Sequence, residues 1–358
     1  MGTKISKATQ RAIDRGYYEK DDTWFTSFRF TELTGDLAYE EGIVRRDPSR
    51  IVLFEGKYYV YYTRSAGKAK EYIDPKTGRV KDTPWDLAEL WYATSEDGYD
   101  WKEIGIAVER GGVGAYDERS VFTPEVLDHD GKYYLTYQCD AFHDTVKYKN
   151  TVGMAIAENP NGPFVKLDAP ILHTSNTGEW EDENDRTNRN AKTKGEFDSY
   201  QVHDPCLMYF KNKFYLYYKG ETIGESVFMG GRDTKWGVAI AEKPEGPYLK
   251  SEYNPISNSG HEICVWHYNG GIAGLITSDG MEKNTIQFAE DGENFDIMST
   301  VCRWEFAPHA AGLYPATEED LKNPLGGLTW GLELVNGPWN YIRRFDMAKP
   351  QSRGNIKK

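Results

Sequence analysis

A four-strand unit that recurs along the chain constrains its fold more than any other feature. "IVLFEGKYYVYYTR" from Ile51, "EVLDHDGKYYLTYQ" from Glu125 and "CLMYFKNKFYLYYK" from Cys206 share one form: an apolar strand, a turn at Gly or Asn followed by Lys, then an aromatic strand. Such runs joined by such a turn are β-hairpins. "ICVWHYNGGIAGLIT" from Ile263 is a fourth copy with smaller residues. Each hairpin is followed by a second one. "VGMAIAENPNGPFVKL" from Val152 and "WGVAIAEKPEGPYLKS" from Trp236 nearly coincide, and "LWYATSEDGYDWKEI" from Leu90 and "TIQFAEDGENFDIM" from Thr285 are a variant with an Glu-Asp-Gly turn. A weaker fifth unit runs from "FAPHAAGLY" to "LTWGLELVNGPWNYIRRFDM". Four-stranded units repeated radially predict an all-β fold, a five-bladed β-propeller over residues 36–358. Residues 1–35 form a separate segment. There Ile5, Ala8, Ala12 and Ile13 share one face of a short helix that Gly16 can end. A helix so short needs a partner, on its own body or on another subunit.

Charge and composition narrow the function. The net charge of −13 argues against nucleic acid and anionic membranes as partners, and a neutral sugar is compatible with it. No apolar run is long enough to span a membrane, and the first residues lack a secretory core, which favours the cytoplasm, or the periplasm if a leader has been removed. Cys139, Cys206, Cys264 and Cys302 are widely spaced and read as reduced, mostly buried residues. Aromatics reach 14%, which fits β-sheet as well as sugar stacking and does not choose between them.

The chemistry sits where the first strands begin. Asp204-Pro205-Cys206 and Glu262-Ile263-Cys264 match at a spacing of 58, Asp47-Pro48 precedes the first copy, and Thr123-Pro124 the second. The turns align these positions to within about one residue, which predicts small bulges. Asp-Pro also starts strands for purely local reasons. In a propeller, however, the first strands line one channel, so Asp47, Asp204 and His261/Glu262 converge. "HEICVWH" from His261 is no zinc-protease motif, because its second His falls six residues after the first on a strand-forming run. Converging carboxylates without a metal motif point to glycoside hydrolysis, in which one group protonates the leaving oxygen and another activates water or attacks the sugar.

The pattern resembles the five-bladed acid-triad propeller glycosidases, and most closely glycoside hydrolase family 117, the α-1,3-(3,6-anhydro-L-galactosidases). "SKATQR" from Ser6 fits that family's S-x-A-x-x-R motif, and "RRDPSR", "VHDPCL" and "GHEICV" fit its three active-site stretches. The resemblance implies that residues 1–35 hold helices exchanged between the subunits of a homodimer. It implies that Asp47 is the general base, Asp204 the middle acid, and His261 with Glu262 an adjacent pair in which the histidine takes the acid role. The residues themselves leave open which of the pair delivers the proton. Histidine is protonated near neutrality after a modest rise, whereas Glu needs about two units or more. The implied activity is inverting release of 3,6-anhydro-L-galactose from neoagarobiose and short relatives.

Trp85, Thr123, Gln138 and His203 are candidate substrate contacts: Trp85 as a stacking wall, the others for hydroxyls. No ligand set for a catalytic metal is evident and no cofactor is expected, while a structural divalent cation is compatible with the family. Two rival readings keep the fold. One is an arabinofuranosidase, xylosidase or glycoside phosphorylase, and the other is a sugar-binding propeller without catalysis.

Overall fold

The computed structural model describes residues 28–141, 150–182, 190–225, 234–261, 263–277, 280–301, 307–309, 312–315 and 328–347, with 6, 7 and 14 singly. Five sheets form the five blades of a propeller. Blade 2 runs from the channel outward as Ser120–His129, Lys132–Asp140, Thr151–Ala157 and Val165–Lys166. Blade 3 repeats this order with Gln201–Phe210, Lys213–Glu221, Lys235–Ala241 and Leu249–Lys250. Blade 4 comprises Val265–Tyr268, Gly271–Ile276, Thr285–Ala289 and Asp296–Thr300. In blade 1 the innermost strand is broken into Ile43–Arg46 and Val52–Phe54, both paired with Lys57–Ala66, and Glu89–Ser95 and Asp100–Val108 follow outward.

Blade 5 joins both ends of the described chain. Gly312–Leu313, Trp330–Val335 and Tyr341–Met347 are followed outward by Phe28–Glu32. That last strand runs antiparallel to the third, with Phe28 opposite Met347 and Glu32 opposite Arg343. Part of the segment assigned to residues 1–35 is therefore propeller. Apart from residues 6, 7 and 14, the expected helix over Ile5–Gly16 lies outside the described residues.

Period-two alternation explains the aromatic strands. In "KYYVYYTR", Tyr59 and Tyr61 pack towards blade 2, while Val60 and Tyr62 pack towards blade 5. Blade 3 divides likewise, with Phe214, Leu216 and Tyr218 facing blade 2 and Tyr215 and Tyr217 facing blade 4. Five apolar clusters result, each joining two neighbouring blades, and together they close the ring. The tyrosines that made composition ambiguous are largely this interblade packing. The shared "G" of "VGMAIA" and "WGVAIA" has the same origin. A Cβ at Gly153 would meet the Tyr137 ring at 2.6 Å, and one at Gly237 would meet Phe197 at 2.4 Å.

Candidate active site

The hairpin turns confirm the register of the repeat. Phe210 pairs with Lys213 across the turn of blade 3 and Tyr268 with Gly271 in blade 4, so both flanks keep the spacing of 58. His129 pairs with Lys132 in blade 2, which places Thr123 at the position of Asp204. The acids were expected ahead of the first strands. In the structure Thr123 and Asp204 lie within those strands, and Asp47 lies in the break of the blade 1 strand. The reason is a shared local distortion: Asp47, Thr123 and Asp204 have φ of 52°, 46° and 50°. Side chains rarely adopt this left-handed region, and the register slips beside Thr123 and Asp204 as a bulge requires. Each such site costs on the order of 1–3 kcal/mol and is characteristic of functional positions.

The bulge has a chemical consequence. Adjacent strand residues normally point to opposite faces, yet Arg46 with Asp47, Phe122 with Thr123, and His203 with Asp204 all line one cavity of about 410 Å³. Trp85, Gln138 and His261 line it as well. The structure thus brings together Asp47, Trp85, Thr123, Gln138, His203, Asp204 and His261. Glu262 lies outside the described residues.

Asp47 is 3% exposed. Its Oδ2 accepts from Arg46 Nε at 2.8 Å, Thr63 Oγ1 at 3.1 Å and Thr123 Oγ1 at 3.4 Å. Thr63 Oγ1 in turn accepts from the Thr123 N–H at 2.8 Å, which ties the base candidate to two blades. Asp47 Oδ1 is buried and meets no hydrogen-bond donor among the described residues. Asp204 is buried and ion-paired with Lys219, itself 3% exposed. His203 Nε2 lies 3.5 Å from Glu221 Oε1. The guanidinium of Arg46 lies 4.7 Å from the Trp85 ring centre, so the stacking candidate is braced by the same arginine that holds Asp47.

Sequence reasoning missed several cavity residues. Lys219 occupies the position of Gln138 and Thr63, six residues after the Lys of each turn, so the repeat carried a signal for it. His309, whose ring centre is 5.3 Å from that of His261, comes from the weak fifth unit. Its backbone N–H donates to Glu333 Oε2 at 2.8 Å. Asn150, Gln201 and Asn336 also line the cavity and had no distinguishing signal.

Three blades are also tied together by an arginine that does not line the cavity. Arg50, on the broken strand of blade 1, sets its Nε 3.1 Å from Glu125 Oε1 of blade 2 and its Nη2 2.7 Å from Met208 Sδ of blade 3. Its backbone N–H also donates to Glu125 Oε2 at 2.9 Å. Burial lifts the Glu125 carboxyl to about 6 against the pull of Arg50. Burial, assisted by Arg50, pushes His267 down to about 4. Among the described residues no group of three His, Cys, Asp or Glu is placed to hold a metal ion, and no helix is long and apolar enough to cross a membrane.

A five-bladed propeller with buried carboxylates and an imidazole at the channel mouth defines a class, the propeller glycoside hydrolases, and this chain is a glycoside hydrolase. Zg3597, a family 117 glycoside hydrolase of the marine bacterium Zobellia galactanivorans, is 35% identical to it over 91% of this chain and 92% of that one, with a TM-score of 0.72. The chain belongs to glycoside hydrolase family 117. The GH43_1 enzyme of Xanthomonas citri complexed with xylose shares the fold at 14% identity and a TM-score of 0.54, covering 95% of this chain and 92% of that one. No protein-family model and no curated protein sequence matches the chain.

Proposed function

We propose that this enzyme is an inverting exo-hydrolase that releases 3,6-anhydro-L-galactose from the non-reducing end of neoagarobiose and short neoagaro-oligosaccharides. The observation that carries the mechanism is Asp47. One of its oxygens is held by Arg46, Thr63 and Thr123, and the other is buried with no donor among the described residues, in a sugar-sized cavity. Such a carboxylate is placed to take a proton from water. Water bonds to the anomeric carbon as its proton passes to Asp47. The glycosidic bond breaks as His261 or Glu262 gives a proton to the leaving oxygen. Asp204, neutralised by Lys219, orients the acid.

The bulged pairs Arg46-Asp47 and His203-Asp204 support a shared role for the fourth pair, since a bulge lets two neighbours face one sugar. Trp85, Thr123, Gln138 and His203 hold the ring. The scheme uses no cofactor and no metal. Arg46 and Lys219 line the cavity but are engaged with acids, which weighs against a phosphate nucleophile. The S-x-A-x-x-R segment supports a homodimer through exchanged N-terminal helices. Incubation with neoagarobiose, with product anomers followed by proton NMR, tests the reading. The expected first product has inverted configuration, and retention or the absence of cleavage refutes it.

A further inference from the structure

Beside the catalytic cavity lies a smaller chamber of about 130 Å³. Trp85, Phe122, Asn150 and Gln201 line both, so the two spaces meet along the Trp85 wall. Two acids line the chamber, and their situations differ. Asp86 is fully engaged, accepting from Arg119 Nε and Nη2 at 2.8 and 2.9 Å and from the backbone N–H groups of Asp82 and Leu87. Asp140 is 3% exposed, and its Oδ1 meets no donor among the described residues. Asn150, also buried, donates its side-chain amide to Gln201 Oε1 at 3.3 Å, and its own Oδ1 meets no donor among the described residues. Two buried acceptors therefore line one chamber with no donor among the described residues. Folded chains keep few such atoms, because each costs on the order of 1–3 kcal/mol.

The missing partner must bring hydrogen-bond donors. The positive charge of Arg119 acts on Asp140 and disfavours a cation, while Asp86 and Asp140 disfavour an anion. Burial raises the Asp140 carboxyl to about 7. Near neutrality it therefore offers an acceptor in one state and a donor in the other. A hydroxyl answers both, since it donates and accepts. We propose that this chamber is a second sugar subsite, in which Asp140 and Asn150 receive hydroxyls of the ring next to the one released and Trp85 walls both rings. The inference rests on the hydrolytic reading of the larger cavity and assigns residues outside that machinery.

The test separates binding from turnover. In an Asp47→Asn background, calorimetric titration with neoagarobiose measures occupancy without cleavage. Adding Asp140→Leu, similar in volume and lacking an acceptor, weakens neoagarobiose about tenfold or more. Adding Asn150→Ala weakens it by several fold, which keeps the question answerable if the leucine variant fails to fold by thermal melting. Unchanged affinity in a folded variant overturns the subsite, as does the absence of any neoagarobiose binding. Affinity that falls on substitution, alongside a wild-type enzyme that cleaves nothing, supports the subsite and refutes the hydrolytic assignment alone.

Discussion

Replacing Arg50 with Met removes the guanidinium that links three blades. Its partner Glu125 is the group to follow. Both side chains are only 12% exposed. The Glu125 carboxyl stands at about 6 in the folded protein against an ordinary 4.5, because burial outweighs the pull of Arg50. A carboxyl raised on folding binds its proton more tightly in the native state, so it costs no stability below pH 4.5. The cost grows between 4.5 and 6 and reaches roughly 2 kcal/mol above that, even with Arg50 present. Without Arg50 the carboxylate is left buried and unpaired and escapes by taking up a proton, which at pH 7.5 costs about 4 kcal/mol against an ordinary 4.5, roughly 2 kcal/mol beyond what the wild type already bears. At pH 7.5 Arg50→Met should therefore lower unfolding free energy by about 2 kcal/mol. At pH 5 Glu125 takes up a proton and most of the electrostatic loss disappears. His267, held down at about 4, is neutral at both values in the wild type. Urea unfolding followed by tryptophan fluorescence at the two pH values measures the difference. An equal loss at both, or a loss under about 1 kcal/mol at pH 7.5, refutes the account. Adding Glu125→Gln to the variant should recover stability at pH 7.5 and little at pH 5.

Three further outcomes follow from the site. Asp47→Asn should reduce kcat by about a hundredfold to ten-thousandfold with little change in KM, measured by steady-state release of sugar from neoagarobiose. Comparing His261→Ala with Glu262→Gln on glycosides with good and poor leaving groups identifies the acid. The variant that lost it regains rate on good leaving groups, and equal behaviour on both refutes a single acid. Deleting residues 1–20 should convert a dimer to a monomer by light scattering, and an unchanged mass refutes the exchanged-helix arrangement.

The sequence carried the repeat, and with it much of the site. Thr123 and Asp204 lie nine residues before the turn Lys and Asp47 ten, so the three could be aligned to within one residue, and Gln138 marks a position that Thr63 and Lys219 share. The one-residue offsets predict small bulges but place the residues ahead of the strands, because a left-handed φ at Asp or Thr leaves no trace in hydrophobic periodicity. Arg46 carried no distinguishing signal in the sequence, although it braces both Asp47 and Trp85. Asp140 ends one strand of blade 2 and Asn150 precedes the next, and position along the chain says little about their proximity. "FRFTE" from Phe28 was assigned to the leading segment because its partner strand lies some three hundred residues away and nothing in five residues announces that pairing.

That distant pairing has a consequence for how the enzyme comes into being. Phe28–Glu32 emerges early in synthesis, but the strand it completes, Tyr341–Met347, is among the last to appear. At roughly 5–20 residues per second, this outer strand waits some ~15–60 s for its neighbour. Four blades can condense in the meantime, each on the one before, while the fifth stays open. His309 and Asn336, which line the catalytic cavity, arrive with that fifth blade. The ring therefore cannot be latched before the cavity wall is delivered, and closure and catalytic competence are timed by the same event.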